Sequence, residues 1–120
     1  MDRAVKALIY NGEISLTLLD TTEMVNRAIE IHKLSPLAAA ALGRTMTVAT
    51  FMSIGLKNKD DTLSVTISGD GPAGTIVVCG NHDLKMRGYI DNPQVELPLK
   101  KNGKLDVGGA VGKGRISVVK

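Results

Sequence analysis

The sequence predicts an α+β domain in which mainly antiparallel strands accompany two central helices. Three observations support this class. Two short alternating strand patterns open the chain, joined by an Asn11-Gly12 turn. Two helical segments follow, the second of them long and apolar, and the rest of the sequence returns to strand patterns separated by turns. At 120 residues the chain fits one domain, 1–120, that buries roughly two-thirds of its unfolded surface.

Local signals mark the first strands and the first helix. The strand patterns run from Arg3 to Ile9 and from Glu13 to Leu19. Asp20 then stands three residues before Glu23, which predicts a capping box with Asp20 as the N-cap. The helix should stop near Leu34. Its apolar stripe contains Met24, Val25, Ala28, Ile29 and Ile31.

The second helix is predicted from about Pro36 to Leu56, with Ser35 as its N-cap and Pro36 in its first turn. Its length would also span a bilayer. Arg44 near its middle would cost about 2.5–3.5 kcal/mol in lipid, and hydroxyl side chains dilute the remainder. We therefore predict a core helix enclosed on most sides, with Arg44 paired to a carboxylate or to backbone carbonyls.

The second half of the chain predicts four more strands. Leu63, Val65 and Ile67 alternate with polar residues, as in a half-buried strand. The other three strands are predicted at Ile76–Cys79, Met86–Asp91 and Arg115–Val119. The adjacent Asp60 and Asp61 lie in a charged turn, where solvated carboxylates are commoner than a metal site.

Two glycine-rich stretches imitate nucleotide-binding loops. Gly69, Gly71 and Gly74 form a G-x-G-x-x-G pattern, but a dinucleotide loop needs a helix directly afterwards and Thr75–Cys79 is strand-like. A kinase glycine loop does lie between strands, but 120 residues cannot supply the other kinase elements. We predict a tight turn whose glycines take positive φ. The second stretch, Gly108–Gly114, fails as a P-loop at both ends.

No set of catalytic, cofactor-binding or metal-ligating residues emerges, so the sequence predicts a non-enzymatic binding domain. Cys79 and His82 have a C-x-x-H spacing, which is only half of a zinc site. Cys79 follows an apolar strand and is expected to be a shielded, inert thiol. His32 lies near the end of the first helix, where it favourably meets the helix dipole. A single cysteine agrees with a reducing, cytoplasmic setting.

The C-terminal segment is the basis for an alternative function, the binding of a polyanion. Pro98–Lys120 has six basic residues and one acidic residue, a net of +5, whereas residues 1–97 have a net of −2. Such asymmetry is compatible with a polyanion-binding module, in particular for nucleic acid. It is also typical of a lysine-rich loop and edge strand kept soluble by charge. The residues concerned are Lys100, Lys101, Lys104, Lys113 and Arg115.

Three sequence blocks together resemble the N-terminal domain of the 33-kDa chaperonin, the redox-regulated heat-shock holdase family of bacteria. They are Asp20–Arg44, Ile67–Val78 and Arg87–Val119, and the resemblance extends over essentially the whole chain. The third block is the most specific, because Arg-Gly-Tyr, Asn-Pro, Leu-Pro-Leu and the glycine run follow in family order. The resemblance implies sheets packed against central helices and ATP-independent capture of unfolding client proteins, with dimerisation on activation.

The family's redox switch lies outside these residues. Its four cysteines, in C-x-C and C-x-x-C pairs, hold zinc when reduced and form disulfides when oxidised, and none is present here. We therefore expect a truncated N-terminal chaperone domain, with zinc only in the full-length parent. This piece should bind no stoichiometric zinc, and peroxide should leave its fold nearly unchanged. Client-contacting residues are not identifiable, although scarce aromatics predict an aliphatic, methionine-bearing surface.

Overall fold

A computed structural model describes all 120 residues as six strands and three helices. Their order is β1 (Arg3–Ile9), β2 (Ile14–Asp20), α1 (Thr22–His32), α2 (Pro36–Ile54), β3 (Thr62–Gly69), β4 (Thr75–Asn81), β5 (Arg87–Ile90), α3 (Val107–Val111) and β6 (Gly114–Val119). Every predicted element is present, which confirms the α+β class. The five-residue helix α3 was not predicted, because its glycines are poor helix formers.

The strands form two separate antiparallel sheets. β1 and β2 make a two-stranded hairpin, and the other four strands pair in the order β5-β4-β3-β6. The hairpin turn is the predicted one: Asn11 and Gly12 both take positive φ, and the Glu13 N–H donates to the Tyr10 carbonyl (3.1 Å). In the larger sheet Val65 of β3 faces Val78 of β4, and both are buried beneath α2.

The helix α2 forms the core of the domain. Ten of its residues are buried, and it contacts α1, α3 and the strands β2, β3, β4 and β5. Two of its buried hydroxyl groups are satisfied within the helix, since Thr45 and Thr50 donate to the carbonyls of Ala41 (2.8 Å) and Met46 (2.7 Å), whereas the buried Ser53 hydroxyl has no partner. Gly43 leaves room for α1, where a Cβ would come 2.9 Å from a methyl group of Val25.

The helix α2 is also long and apolar enough to cross a membrane, with 56% of its most apolar window buried inside the domain.

The N-terminus of α2 matches the prediction. The Ser35 hydroxyl accepts from the Ala38 N–H (3.2 Å) and donates to the Val95 carbonyl (2.6 Å). Ser35 thereby fastens the extended segment that follows β5 to the start of the helix.

The prediction for Arg44 was wrong. Arg44 is exposed and forms no ion pair, and the nearby Val48 and Phe51 are exposed as well. One face of α2 is therefore uncovered, and the guanidinium group lies in water rather than in the core. Composition identified the helix as apolar all round, but it did not reveal which face the sheet and α1 leave open.

The N-terminus of α1 is capped from outside the helix. The Asp2 carboxylate accepts from the N–H groups of Glu23 (2.8 Å) and Met24 (2.9 Å). Asp20, the predicted N-cap, lies in β2 and accepts from the backbone and hydroxyl of Thr22, which lowers its pKa. The predicted capping box is thus incorrect. Glu23 binds the Met1 amino group (2.7 Å), and this contact raises the pKa of that amino group.

We expect Asp2→Ala to lower the free energy of unfolding by about 1 kcal/mol, the usual cost of losing an N-cap acceptor. Urea denaturation followed by circular dichroism measures the change. Asp60→Ala is the matched control, because Asp60 is exposed and accepts no hydrogen bond. Equal stability of the two variants would contradict a capping role for Asp2.

Candidate functional site

The two glycine-rich motifs bind each other rather than a nucleotide. The turn between β3 and β4 lies against the backbone of α3 and the residues after it. Gly71 N–H donates to the Val111 carbonyl (3.0 Å), Ala73 N–H to Ala110 (2.9 Å), and Asp70 N–H to Lys113 (3.0 Å). The N–H groups that would surround a phosphate are therefore already used within the protein.

Glycine is required at positions 69 and 71 mainly because the backbone of the turn and the backbone of α3 lie so close together. A Cβ at Gly69 or Gly71 would overlap the carbonyl oxygens of Val111 or Ala110. The prediction that these glycines take positive φ holds only for Gly74 (φ +72°). It is wrong for Gly69 and Gly71, which do not take positive φ. Glycine is needed at these two positions because a side chain would collide with the neighbouring backbone.

We expect Gly71→Ala to lower the free energy of unfolding by about 2 kcal/mol, since the new methyl group must displace the backbone of α3. Gly108→Ala is the control within α3, because a Cβ there meets nothing and alanine favours the helix. Thermal unfolding compares the two variants. If Gly71→Ala is as stable as Gly108→Ala, the two motifs are not held together as described. Saturable binding of ATP, measured by calorimetry, would restore the nucleotide interpretation.

Cys79 is exposed, so the expectation of a shielded thiol was wrong. In β4 the side chains alternate, and the buried positions are Ile76, Val78 and Gly80. Cys79 lies on the opposite face, where its sulfur is 3.8 Å from the Ser64 hydroxyl. The sequence showed an apolar run, but the pleat decides which of its members are covered.

The histidines and acidic residues do not complete a metal site around Cys79. His82 lies 3.4 Å from the Asp83 carboxylate, and Asp61 accepts from the Asn58 N–H (3.1 Å) in the turn before β3. No group of three or more His, Cys, Asp or Glu side chains is close enough together to hold a metal ion. His32 ends α1 as expected and is half-buried.

We expect Cys79 in the folded chain to react with a thiol-specific chromogenic reagent within about tenfold of its rate in denaturant, because the side chain is open to solvent. Absorbance after stopped-flow mixing gives both rates, and Cys79→Ser provides the blank. Labelling that requires denaturation would show that the thiol is covered.

The basic residues of the C-terminal segment are exposed but belong to two different structures. Lys100, Lys101 and Lys104 lie on a turn in which the Lys100 N–H donates to the Lys104 carbonyl (2.9 Å). Lys113 precedes β6, and Arg115 lies within it. β6 is an edge strand, as the solubilising interpretation predicted.

The most unusual surface is the outward, apolar side of the hairpin that β1 and β2 form, here called the hairpin face. On β2 only Thr17 and Leu19 are half-buried, so their side of the hairpin faces the domain. The opposite side is exposed and apolar except for the Arg3 and Asp20 pair at its end, and its large apolar side chains have exposed fractions from 37% at Ile9 to 60% at Leu18. The hairpin face consists of Val5, Ala7, Ile9, Ile14, Leu16 and Leu18.

Further apolar side chains are exposed on α2 and β6. Phe51 is the single phenylalanine of the chain, and it is 53% exposed. Ile116 and Val118 of β6 face Ile67 and Val65 of β3, so they lie on the side of the sheet that carries α2. They nevertheless remain exposed. Uncovered apolar areas of this kind mark interaction surfaces.

A groove of about 540 Å³ lies between α1 and β5. Its apolar lining includes Met24, Ala28, Met46 and Met86, and its basic lining consists of Arg27, His32 and Arg87. Neither this groove nor the hairpin face was predicted from the sequence. Alternation in β1 and β2 signalled a hairpin with an apolar side, but sequence does not reveal that this side faces away from the domain.

The fold and these surfaces define an α+β domain with uncovered apolar faces, and comparison with known proteins places it in a family. A solved structure of the 33 kDa chaperonin (heat shock protein 33 homologue) from Thermotoga maritima matches with a TM-score of 0.86 at 30% identity. The match covers 97% of this chain and 44% of that protein. The curated 33 kDa chaperonin of Ruminiclostridium cellulolyticum is 54% identical, and that of Clostridium tetani is 48% identical.

The model of the family described as Hsp33 protein matches residues 2–120, so the chain belongs to the Hsp33 family. This confirms the resemblance drawn from the three sequence blocks. The two curated relatives each match 99% of this chain, which spans only 41% of their own length.

Proposed function

We propose that this chain is the client-binding part of an ATP-independent chaperone that holds unfolding proteins, and that it has no catalytic activity. Membership of the Hsp33 family carries this proposal. The hairpin face supports it, because an unfolding protein exposes aliphatic segments that an aliphatic surface can cover. Nucleotide plays no part in it, since the phosphate-binding groups of the glycine motifs are occupied by backbone partners.

The energetics of the hairpin face favour binding of a client. Each side chain on it leaves 37–60% of its area exposed, apart from the small Ala7. Covering such a surface stabilises a complex by about 25 cal/mol for each Å² of apolar area removed from water. Leucine, isoleucine and valine side chains make non-directional contacts, so one surface can accept clients of different sequence.

We further propose that redox control belongs to a longer polypeptide and that this domain is its N-terminal, cytoplasmic part. A zinc switch needs several thiolates, and this chain has Cys79 alone. The zinc-binding cysteines, the disulfides that replace the metal and any dimerisation on activation are accordingly assigned to the full-length protein. The chain itself should hold client proteins without a metal ion.

We expect the chain to suppress the thermal aggregation of a heat-labile reporter enzyme, measured by light scattering without ATP. Leu16→Lys on the hairpin face should weaken suppression at least fivefold, because it places a charge in the apolar contact. Leu8→Lys is the matched control, since Leu8 is 72% exposed on the other side of the same hairpin. Equal loss in both variants, or none in either, would contradict the assignment to this face.

Suppression should be the same before and after peroxide treatment, because oxidation of the exposed Cys79 forms no internal disulfide and the thiol lies on β4, away from the hairpin face. Elemental analysis should find less than one zinc ion per chain. Activity that appears only after peroxide would place the switch in these residues. Tight, salt-sensitive binding in a gel-shift titration would instead favour the nucleic-acid alternative.

A further inference from the structure

The groove between α1 and β5 combines an apolar floor, unpaired positive charge and a free strand edge. We propose that it binds an extended client segment in which aliphatic residues neighbour acidic ones, and that the segment adds as a strand to β5. This proposal rests on the chaperone function proposed above and assigns a second, more selective contact surface to it.

The free edge of β5 has backbone groups available for another strand. β5 ends the four-stranded sheet, and its only strand partner is β4. Asp91 N–H donates to the Thr75 carbonyl (2.9 Å), so Asp91 and Thr75 form a hydrogen-bonded pair. Such pairs alternate along antiparallel strands, which leaves the N–H and C=O groups of Gly88 directed outward beside the groove. This is the requirement for strand addition by an extended peptide.

The floor beside this edge suits aliphatic side chains of different shapes. It contains Met24, Met46 and Met86, and unbranched methionine side chains adapt to varied partners. Gly88 lacks a side chain where one would come 3.1–3.3 Å from Val78, Leu42 and Met46. Because Gly88 has no side chain, β5 lies close to the floor and the groove stays open.

The charges at the groove select for acidic segments. Arg27 and Arg87 are exposed, and neither forms an ion pair. No aspartate or glutamate lines the groove, and His32 adds a third basic group. Guanidinium groups bind carboxylates with two parallel hydrogen bonds. A fatty acid would satisfy the charge and the floor, but only a peptide can also pair with the β5 backbone.

Fluorescence anisotropy tests the proposal with two labelled twelve-residue peptides. One alternates leucine with glutamate and the other alternates leucine with lysine. We expect the chain to bind the glutamate peptide at least tenfold more tightly. The double variant Arg27→Glu, Arg87→Glu should reverse this preference, because both charges change sign beside the groove. Arg115→Glu, on the exposed edge strand at the other side of the sheet, should leave it unchanged.

Peptide modification tests strand addition without altering the protein. N-methylation of alternate residues removes every second donor, so one methylated series should lose at least tenfold in affinity and the series offset by one residue should not. Equal losses in both series would overturn strand addition. Circular dichroism of each protein variant verifies folding, and the wild-type comparison of the two peptides remains decisive if a variant unfolds.

The remaining outcomes separate this proposal from the chaperone function. If the chain suppresses aggregation but binds neither peptide, or binds both equally, the groove proposal is wrong and the chaperone function stands. If decanoate displaces the bound peptide and N-methylation of the peptide does not weaken its binding, the groove is a site for small amphiphiles instead. If the chain self-associates at higher concentration and loses peptide binding as it does so, the β5 edge pairs with a second copy of the chain instead. Failure of both peptide binding and aggregation suppression would refute both proposals.

Discussion

The burial of α2 is the constraint on which the rest of the domain depends. The chain has only three aromatic residues, and none of them belongs to the core of sixteen buried hydrophobic residues. An aliphatic core must gain its stability from close packing around small residues. Ala38 and Ala49 are fully buried on α2, and Leu42 between them contributes about 1.5–3 kcal/mol by its burial. α1, α3 and the four-stranded sheet are all positioned by their contacts with this helix.

The junction of the two glycine motifs has a second organising role. It attaches α3 to the turn between β3 and β4 through backbone hydrogen bonds, and it delivers the chain directly into β6. The Asp70 carboxylate accepts from the Lys113 N–H (2.7 Å) and completes the contact. A motif that resembles a phosphate-binding loop is therefore a packing device, and only its structural context separates the two uses.

The uncovered surfaces follow from this arrangement. The sheet and α1 occupy most of α2, whereas the hairpin contacts it mainly through β2. A two-stranded hairpin is marginally stable in water by itself, so its apolar side is available for a partner rather than required by the core. The hairpin face and the groove beside β5 differ in chemistry. The first is apolar throughout, and the second adds positive charge and a strand edge.

Local pattern determined the order and type of nearly all elements. Asn11-Gly12 dictates a hairpin and Ser35-Pro36 begins a helix, because these signals act through a few neighbouring residues. The three sequence blocks also sufficed to identify the family. Tertiary structure alone decided the environments of single side chains. Arg44 and Cys79 are exposed because the neighbouring elements cover the opposite faces of α2 and β4. Likewise Asp2 caps α1 from twenty-one residues away, a contact that exists only after the chain has folded.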